Sequence, residues 1–197
     1  NIVKVKKTKI SNDFLLISQY EEKKDNLNNF YIKLLGYLNL YFINSNKKLH
    51  ILLRKKDPEG QKKEIKFYKK FFKFNCVFHK TLKWKESYKT LDQFENIIFM
   101  HSTLGYEAIS RKKKVVMFPP KKIKYCDYWF GWPAPFQKKY NFFSAKNLRF
   151  NEVKRVLNNV YSCSQLEWEK KYYSIVKDRM HIDQNNSKLK KTIFNSL

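Results

Sequence analysis

A chain of 197 residues fits one domain or one half of a two-lobed enzyme, since domains cluster near about 100–150 residues. Hydrophobic residues make up 43% and aromatics 17%, which supplies a real core and excludes a disordered or collagen-like chain. The 42 Lys+Arg against 17 Asp+Glu leave a formal charge of +25, a value that points to nucleic acid, an anionic membrane face or phosphorylated substrates.

That charge is discounted by its make-up. Only five of the 42 basic residues are arginine (Arg54, Arg111, Arg149, Arg155, Arg179), and Asn is abundant, as the AAA and AAT codons of an AT-rich genome would produce. Arginine is the usual choice for bidentate phosphate and base contacts, so a lysine-heavy surface argues for diffuse electrostatics over a groove reader. The cysteines Cys76, Cys126 and Cys163 are odd in number and lack CxxC spacing. This fits a reducing compartment and excludes a disulfide framework or a Cys-based zinc site. His50, His79, His101 and His181 are scattered, with no HExxH, so no metal site is legible. The apolar stretch Phe30–Ile43 is broken by Asn, Lys and Gly and falls short of the roughly 18 continuous apolar residues a membrane span needs. No segment reads as a signal peptide. The sequence opens at Asn1 without an initiator Met and goes almost at once into a strand-like segment; we expect the C-terminal part of something longer.

After a basic leader, Lys4–Lys9, the run Asp13–Ser18 is short and continuously apolar, as a strand buried on both faces would be. From about Leu27 to Ile43, Phe30, Leu34, Leu35, Leu38 and Phe42 recur at spacings of three and four, which predicts a helix closed by Asn44-Ser45-Asn46. Leu49–Leu53 follows as a second strand. Asp57-Pro58-Glu59 has the form of a helix start, an Asp cap with Pro at the first position, leading into Lys62–Phe72. Asn75–His79 predicts a third strand, Lys85–Phe94 a short helix, Asn96–Met100 a fourth strand, Ser102–Arg111 a helix and Lys114–Phe118 a fifth strand. This alternation is the signature of a parallel sheet with helices on both faces. Gly, Pro and aromatics crowd 119–143, with Trp129–Pro135 at the centre, and predict an irregular loop. Helical patterns return at Asn151–Val160, Gln165–Val176 and Asn186–Phe194. The expected division is a basic leader or interlobe linker at 1–12, a Rossmann-like nucleotide-binding domain at 13–160 and C-terminal helices packing on it at 161–197.

In open parallel sheets ligands sit outside the carboxyl ends of the strands, where helix N-termini present free N–H groups and partial positive charge. The fourth strand leads into Met100-His101-Ser102-Thr103-Leu104-Gly105-Tyr106-Glu107-Ala108. Ser102 or Thr103 can cap the following helix while hydroxyls and amides face an anion. Glu107 lies one turn on, on the same face as Thr103, where its carboxylate could accept from a neutral diol such as ribose. The plainer alternative is a simple helix cap with Glu107 solvated. His101 could touch the phosphate or the sugar, or be structural.

The segment His101–Phe118 resembles the S-T-x-G-x-E-A-x-x-x-x-K-x-V pattern in the nucleotide-binding half of GT-B-type glycosyltransferases, and is most similar to bacterial enzymes of surface and capsular polysaccharide biosynthesis. Weaker similarity extends to Phe14–Gln19, Leu49–Asp57 and Tyr88–Leu91. The resemblance implies a Rossmann-like lobe, a mostly parallel sheet flanked by helices, that binds a nucleotide-activated sugar, with an N-terminal acceptor-binding lobe elsewhere in the same protein. It places the donor phosphate on Ser102 and Thr103 and the ribose on Glu107. Arg54 or Lys55 would assist the phosphates where some relatives carry a His-Pro pair, and Ser18 and Gln19 would line the cleft between lobes. It further implies no metal or other cofactor, a catalytic base on the other lobe and a glycan or lipid-linked acceptor. The lack of an Arg-rich or aromatic-interleaved reader motif leads us to expect no nucleic-acid partner, and the basic runs could set a cytoplasmic enzyme peripherally on the inner face of the membrane. Within this chain, the Trp129–Phe136 loop could be an acceptor platform or a plug of core aromatics. The run Arg111–Lys114 reads as a solvated turn, or as a face for anionic lipid at about 1 kcal/mol per basic residue; Lys170-Lys171 and Lys188–Lys191 read likewise. The competing readings are a basic nucleic-acid-binding module, supported by charge alone, and a sugar-nucleotide epimerase-like domain.

Overall fold

The computed structural model describes residues 10–21, 26–118 and 141–173. The expected basic leader, the Trp129–Phe136 loop, Cys126, His181 and the helix at Asn186–Phe194 lie outside the described residues. In chain order the elements are β1 (Ser11–Ile17), α1 (Asn26–Ile43), β2 (Leu49–Leu52), α2 (Pro58–Phe71), β3 (Val77–His79), α3 (Trp84–Asp92), β4 (Phe94–Phe99), α4 (Thr103–Ser110), β5 (Lys114–Met117), α5 (Phe150–Ser162) and α6 (Gln165–Glu167), the last running on as a π-helical turn, Trp168–Tyr173. The predicted elements within this range are present, with ends displaced by a few residues.

The five strands form one parallel sheet in the order β3-β2-β1-β4-β5. β1 is the strand at which the winding reverses: Leu15 registers with His50 of β2 on one side and Ile97 of β4 on the other. Phe14–Ile17 are all buried, as the uninterrupted apolar run requires of a strand covered on both faces. Phe14 packs against Phe42 of α1 at 5.6 Å between ring centroids and against Tyr161 of α5 at 5.8 Å. Phe14 registers with Asn96, so Phe99, three residues further along β4, faces the other side, where it meets Tyr106 of α4 at 5.2 Å. Thus α1 and α5 cover one face and α4 the other, as right-handed crossovers on either side of a reversal demand.

Two local details set the position of the site. Asp57 accepts from the Gly60 amide at 2.6 Å and Pro58 opens α2, the cap that the Asp-Pro pair predicts. A Cβ on Gly105 would lie 2.2 Å from Cγ of Phe99. Only glycine lets α4 press onto β4 here, and this seats the first turn of α4 directly at the strand's carboxyl end.

In the run Arg111–Lys114 the turn is solvated at Lys112 alone, and the other three side chains are drawn into the fold. Arg111 pairs with Asp92 through both guanidinium branches, Nε at 2.8 Å from Oδ1. Lys112 turns the chain with φ 62° and its Nζ meets Glu169 at 2.9 Å. Lys113 donates to the Asp92 carbonyl at 2.8 Å, and Lys114, only 2% exposed, donates to the Cys163 carbonyl at 2.8 Å and lies 3.5 Å from Glu95. Lys171 pairs with Glu167 at 2.9 Å. The histidines are not all scattered either: His50 Nδ1 and His79 Nε2 sit 3.0 Å apart on neighbouring strands, and burial lowers the pKa of both. Sequence separation hid this pair because parallel pairing of β2 with β3 brings them together across a whole helix.

Candidate functional site

A cleft of about 330 Å³ opens at the carboxyl ends of β1, β2 and β4, at the point where the winding reverses. Ile17, Ser18 and Gln19 contribute from β1, Leu52, Leu53, Arg54 and Lys56 from β2, and His101, Ser102, Thr103 and Leu104 from the β4–α4 turn, with Ser87 of α3 closing one side.

The element that brings a helix N-terminus to this cleft is α4. Ser102 stands at its cap with extended backbone (φ −75°, ψ 134°), and its carbonyl takes the amides of Gly105 at 2.9 Å and Tyr106 at 3.3 Å. Its hydroxyl makes no cap hydrogen bond, so the expectation that a side chain closes this helix is not met. The amides of Thr103 and Leu104, in the first turn, have no intrahelical acceptor by the geometry of a helix. Ser102, Thr103 and Leu104 all line the cleft, at the positive end of the helix dipole.

Two cations flank them. Arg54 is half-exposed and pairs with Glu21 at 2.5 Å, an ion pair open enough to water to exchange readily. Lys56 donates to the hydroxyls of Thr81 and Ser87, the latter at 2.8 Å, and ion-pairs with no carboxylate among the described residues. Desolvation lowers its pKa, opposed by the charges of Glu64 and Glu86.

Of the residues expected at the site, the structure brings Ser18, Gln19, Arg54, His101, Ser102 and Thr103 to one cleft and leaves Lys55 and Glu107 outside its lining. Lys55 is held by its backbone, its amide donating to Glu64 at 3.0 Å and its carbonyl accepting from Gln61 at 3.1 Å. Glu107 is half-buried and accepts the Tyr88 hydroxyl on Oε2. Burial and that carboxylate push the Tyr88 pKa up to about 12, so the phenol stays a donor. Ser18 lines the cleft but has no spare capacity: its oxygen accepts from Tyr68 at 2.7 Å and the Tyr20 amide at 3.2 Å, and its proton goes to Glu64.

A family model described as "putative O-antigen biosynthesis protein" matches residues 1–196. The chain belongs to this O-antigen biosynthesis family. No curated protein matches it by sequence. Among solved structures it is similar to the C-terminal domain of a glycosyl transferase group 1 family protein, LpcC, from Francisella tularensis, at TM-score 0.55 and 11% identity over 87% of each chain. It is also similar to TarM, at TM-score 0.52 and 15% identity over 99% of this chain. The chain spans 37% of the length of TarM. At these identities the likeness establishes the fold, a Rossmann-like lobe of the GT-B C-terminal kind.

The fold of this O-antigen family member also contains functional candidates that sequence reasoning missed. Lys56, Ser87 and Leu104 line the cleft, and Glu64, with no exposure at all, lies beneath it. Lys56 was legible in principle: two residues past Arg54, it returns to the same side of an extended segment. Glu64 was not, because Lys62-Lys63-Glu64-Ile65-Lys66 reads as a solvated helix face. Among the described residues no group of three or more His, Cys, Asp and Glu could hold a metal ion, and no helix is long and apolar enough to cross a membrane.

Proposed function

We propose that this lobe binds a nucleotide-activated sugar, and that the whole protein transfers that sugar to a glycan or lipid-linked acceptor during O-antigen assembly. The observation that carries the reading is the cleft at the reversal point, where an open helix N-terminus and two cations converge. Donor phosphates sit at the first turn of α4, held by the amides of Thr103 and Leu104 and by the hydroxyls of Ser102 and Thr103. Arg54 trades its exposed partner Glu21 for phosphate, and Lys56 supplies a charge already directed to the cleft. These groups and the helix dipole offset the charge on the departing nucleotide, which is why the reading needs no metal and no other cofactor. His101, at the rim, contacts phosphate or sugar, and Gln19 closes the β1 side. Glu107 keeps Oε1 as an acceptor for a ribose hydroxyl while Oε2 holds Tyr88. An N-terminal lobe supplies the acceptor site and the base, and the reaction takes place on the inner face of the cytoplasmic membrane, without nucleic acid.

Calorimetric titration with UDP, GDP, ADP and CMP tests this directly. One nucleotide should bind, and Thr103→Val with Ser102→Ala should weaken it at least tenfold. Absence of binding by all four at millimolar concentration, alongside tight DNA binding at physiological salt, would overturn the reading in favour of a basic nucleic-acid module.

A further inference from the structure

A helix packed on a sheet normally turns apolar residues inward. The inward face of α2 instead carries Gly60, Gln61, Glu64 and Tyr68, all buried. Glu64 accepts from the Arg54 amide at 3.0 Å, from the Lys55 amide at 3.0 Å and from the Ser18 hydroxyl. Gln61 Nε2 donates to the carbonyls of Lys55 at 3.1 Å and Thr81 at 3.2 Å. The peptide groups leading to Lys56 are therefore gripped by two side chains three residues apart on one face of α2.

The same carboxylate ends a chain of hydroxyls. Each hydroxyl carries one proton. Tyr68 gives its proton to Ser18 at 2.7 Å, so the 2.6 Å contact between Tyr31 and Tyr68 is a donation by Tyr31. Tyr31 in turn accepts from the Gln19 amide at 3.2 Å. Burial pushes both phenols well above their ordinary range, so the protons stay on oxygen and all point the same way. The end of β1 (Ser18, Gln19) and the segment after β2 (Arg54, Lys55) are wired to one buried group that lies outside the cleft.

We propose that Glu64, assisted by Gln61, is the positioning residue of this cleft: it ties the segment after β2 to the end of β1 and so presents Arg54 and Lys56 to the donor without touching it. The consequence for the donor rests on the donor-binding reading, whereas the clamp is a property of the free chain. A carboxylate is specifically required, because every group aimed at it is a donor. The amide half of a glutamine would meet donors with donors.

The test uses the 197-residue chain with Glu64→Asp, which keeps the charge but withdraws it by one methylene, and Glu64→Gln. Amide hydrogen exchange is read without ligand and affinity is read by titration with UDP, GDP, ADP and CMP. We expect Arg54 and Lys55 amides to be protected in the wild type and to lose at least tenfold protection in Glu64→Asp, while Leu15 and Leu16 of β1 keep theirs. Affinity for the nucleotide that the wild type binds should fall fivefold or more in the same variant, and further in Glu64→Gln. Leu38→Ala, a truncation in the buried face of α1, should lower the melting temperature yet leave affinity within twofold, which separates positioning from general loss of stability. Unprotected Arg54 and Lys55 amides in the wild type would overturn the clamp, and wild-type affinity in a folded Glu64→Asp chain would overturn its role in presentation. Should the wild type bind none of the four, the donor reading fails and takes presentation with it, while the exchange data still decide whether the clamp exists.

Discussion

Two basic runs headed by arginine, Arg54-Lys55-Lys56 and Arg111-Lys112-Lys113-Lys114, have nearly the same composition and opposite fates. The first follows β2 at the carboxyl edge of the sheet; the second precedes β5 at the amino edge. In a parallel sheet the carboxyl edge gathers helix N-termini, with their open amides, and the amino edge gathers helix C-termini, with their open carbonyls. The second run accordingly finds acceptors built for it. Lys113 takes the carbonyl of Asp92, the last residue of α3, and Lys114 takes that of Cys163, which closes α5. At the carboxyl edge Lys56 instead donates to two neutral hydroxyls. The place of a run in the topology, more than its charge, decides whether it is spent on the fold or kept for a ligand.

The largest expected effect lies in the run spent on the fold. Asp92→Ala leaves the Arg111 guanidinium, whose side chain is 10% exposed, without its carboxylate, a loss of roughly 3 kcal/mol for a buried pair broken on one side. At about 2–4 °C per kcal/mol for a chain of this size, the melting temperature should fall by roughly 10 °C. Nucleotide affinity of the fraction that stays folded should change less than twofold. A loss of affinity as large as the loss of stability would mean that the two edges are not separable.

Next comes Gly105→Ala. Its Cβ has no room against Phe99, and overpacking of this kind costs about 1–3 kcal/mol. Because the displaced element is α4, whose first turn lines the cleft and is proposed to hold the donor phosphates, stability and nucleotide affinity should fall together, in contrast to Asp92→Ala. Thermal denaturation and titration of one preparation would show it.

Much of this architecture was legible beforehand. The strands at Phe14–Ile17 and Asn96–Met100 declared themselves as continuous apolar runs, and Asp57-Pro58 marked the start of α2, because both signals are local. The S-T-x-G turn after β4 pointed to the carboxyl edge of the sheet, while the reversal at β1 emerged only with the strand order. What escaped notice depends on pairing at a distance. The Arg111–Lys114 run looked like a solvated turn because its partners Asp92, Cys163 and Glu169 lie 19 or more residues away. Glu64 looked like one more surface acid because its helix buries a polar stripe where periodicity seeks apolar residues. Glu107 was placed on the correct turn, but its attachment to Tyr88 of α3 needed the packing of one helix on another.

Within the first run the comparison can be sharpened to single residues. Lys56→Ala should weaken nucleotide binding about tenfold, or 1.4 kcal/mol, with little effect on stability, since the half-buried ammonium is held by neutral hydroxyls alone. Lys55→Ala, which removes a side chain outside the cleft lining and keeps the clamped backbone, should change affinity less than twofold. Equal effects of the two would indicate a diffuse field in place of a directed charge.

The smallest effect is a pH dependence that sets Lys56 against Lys112. Desolvation lowers the pKa of Lys56 despite Glu64 and Glu86, whereas the hydrogen bond to Glu169 raises that of Lys112. For Lys56 the folded value lies below the unfolded one. Its charge therefore costs stability at neutral pH, and the cost is relieved as pH rises through the folded value toward 10.5. For Lys112 the sign is opposite: its contribution is complete below 10.5 and disappears only as pH passes the raised folded value. Nucleotide affinity should thus decline across an alkaline interval in which the Lys112 pair is still intact. The decline should be only about two- to threefold while Lys56 is partly deprotonated, since loss of its whole charge corresponds to about tenfold. Lys56→Arg, which keeps its charge throughout, should flatten the profile, and Lys112→Ala should leave it unchanged. An alkaline decline that persists in Lys56→Arg would place the titrating group elsewhere in the cleft.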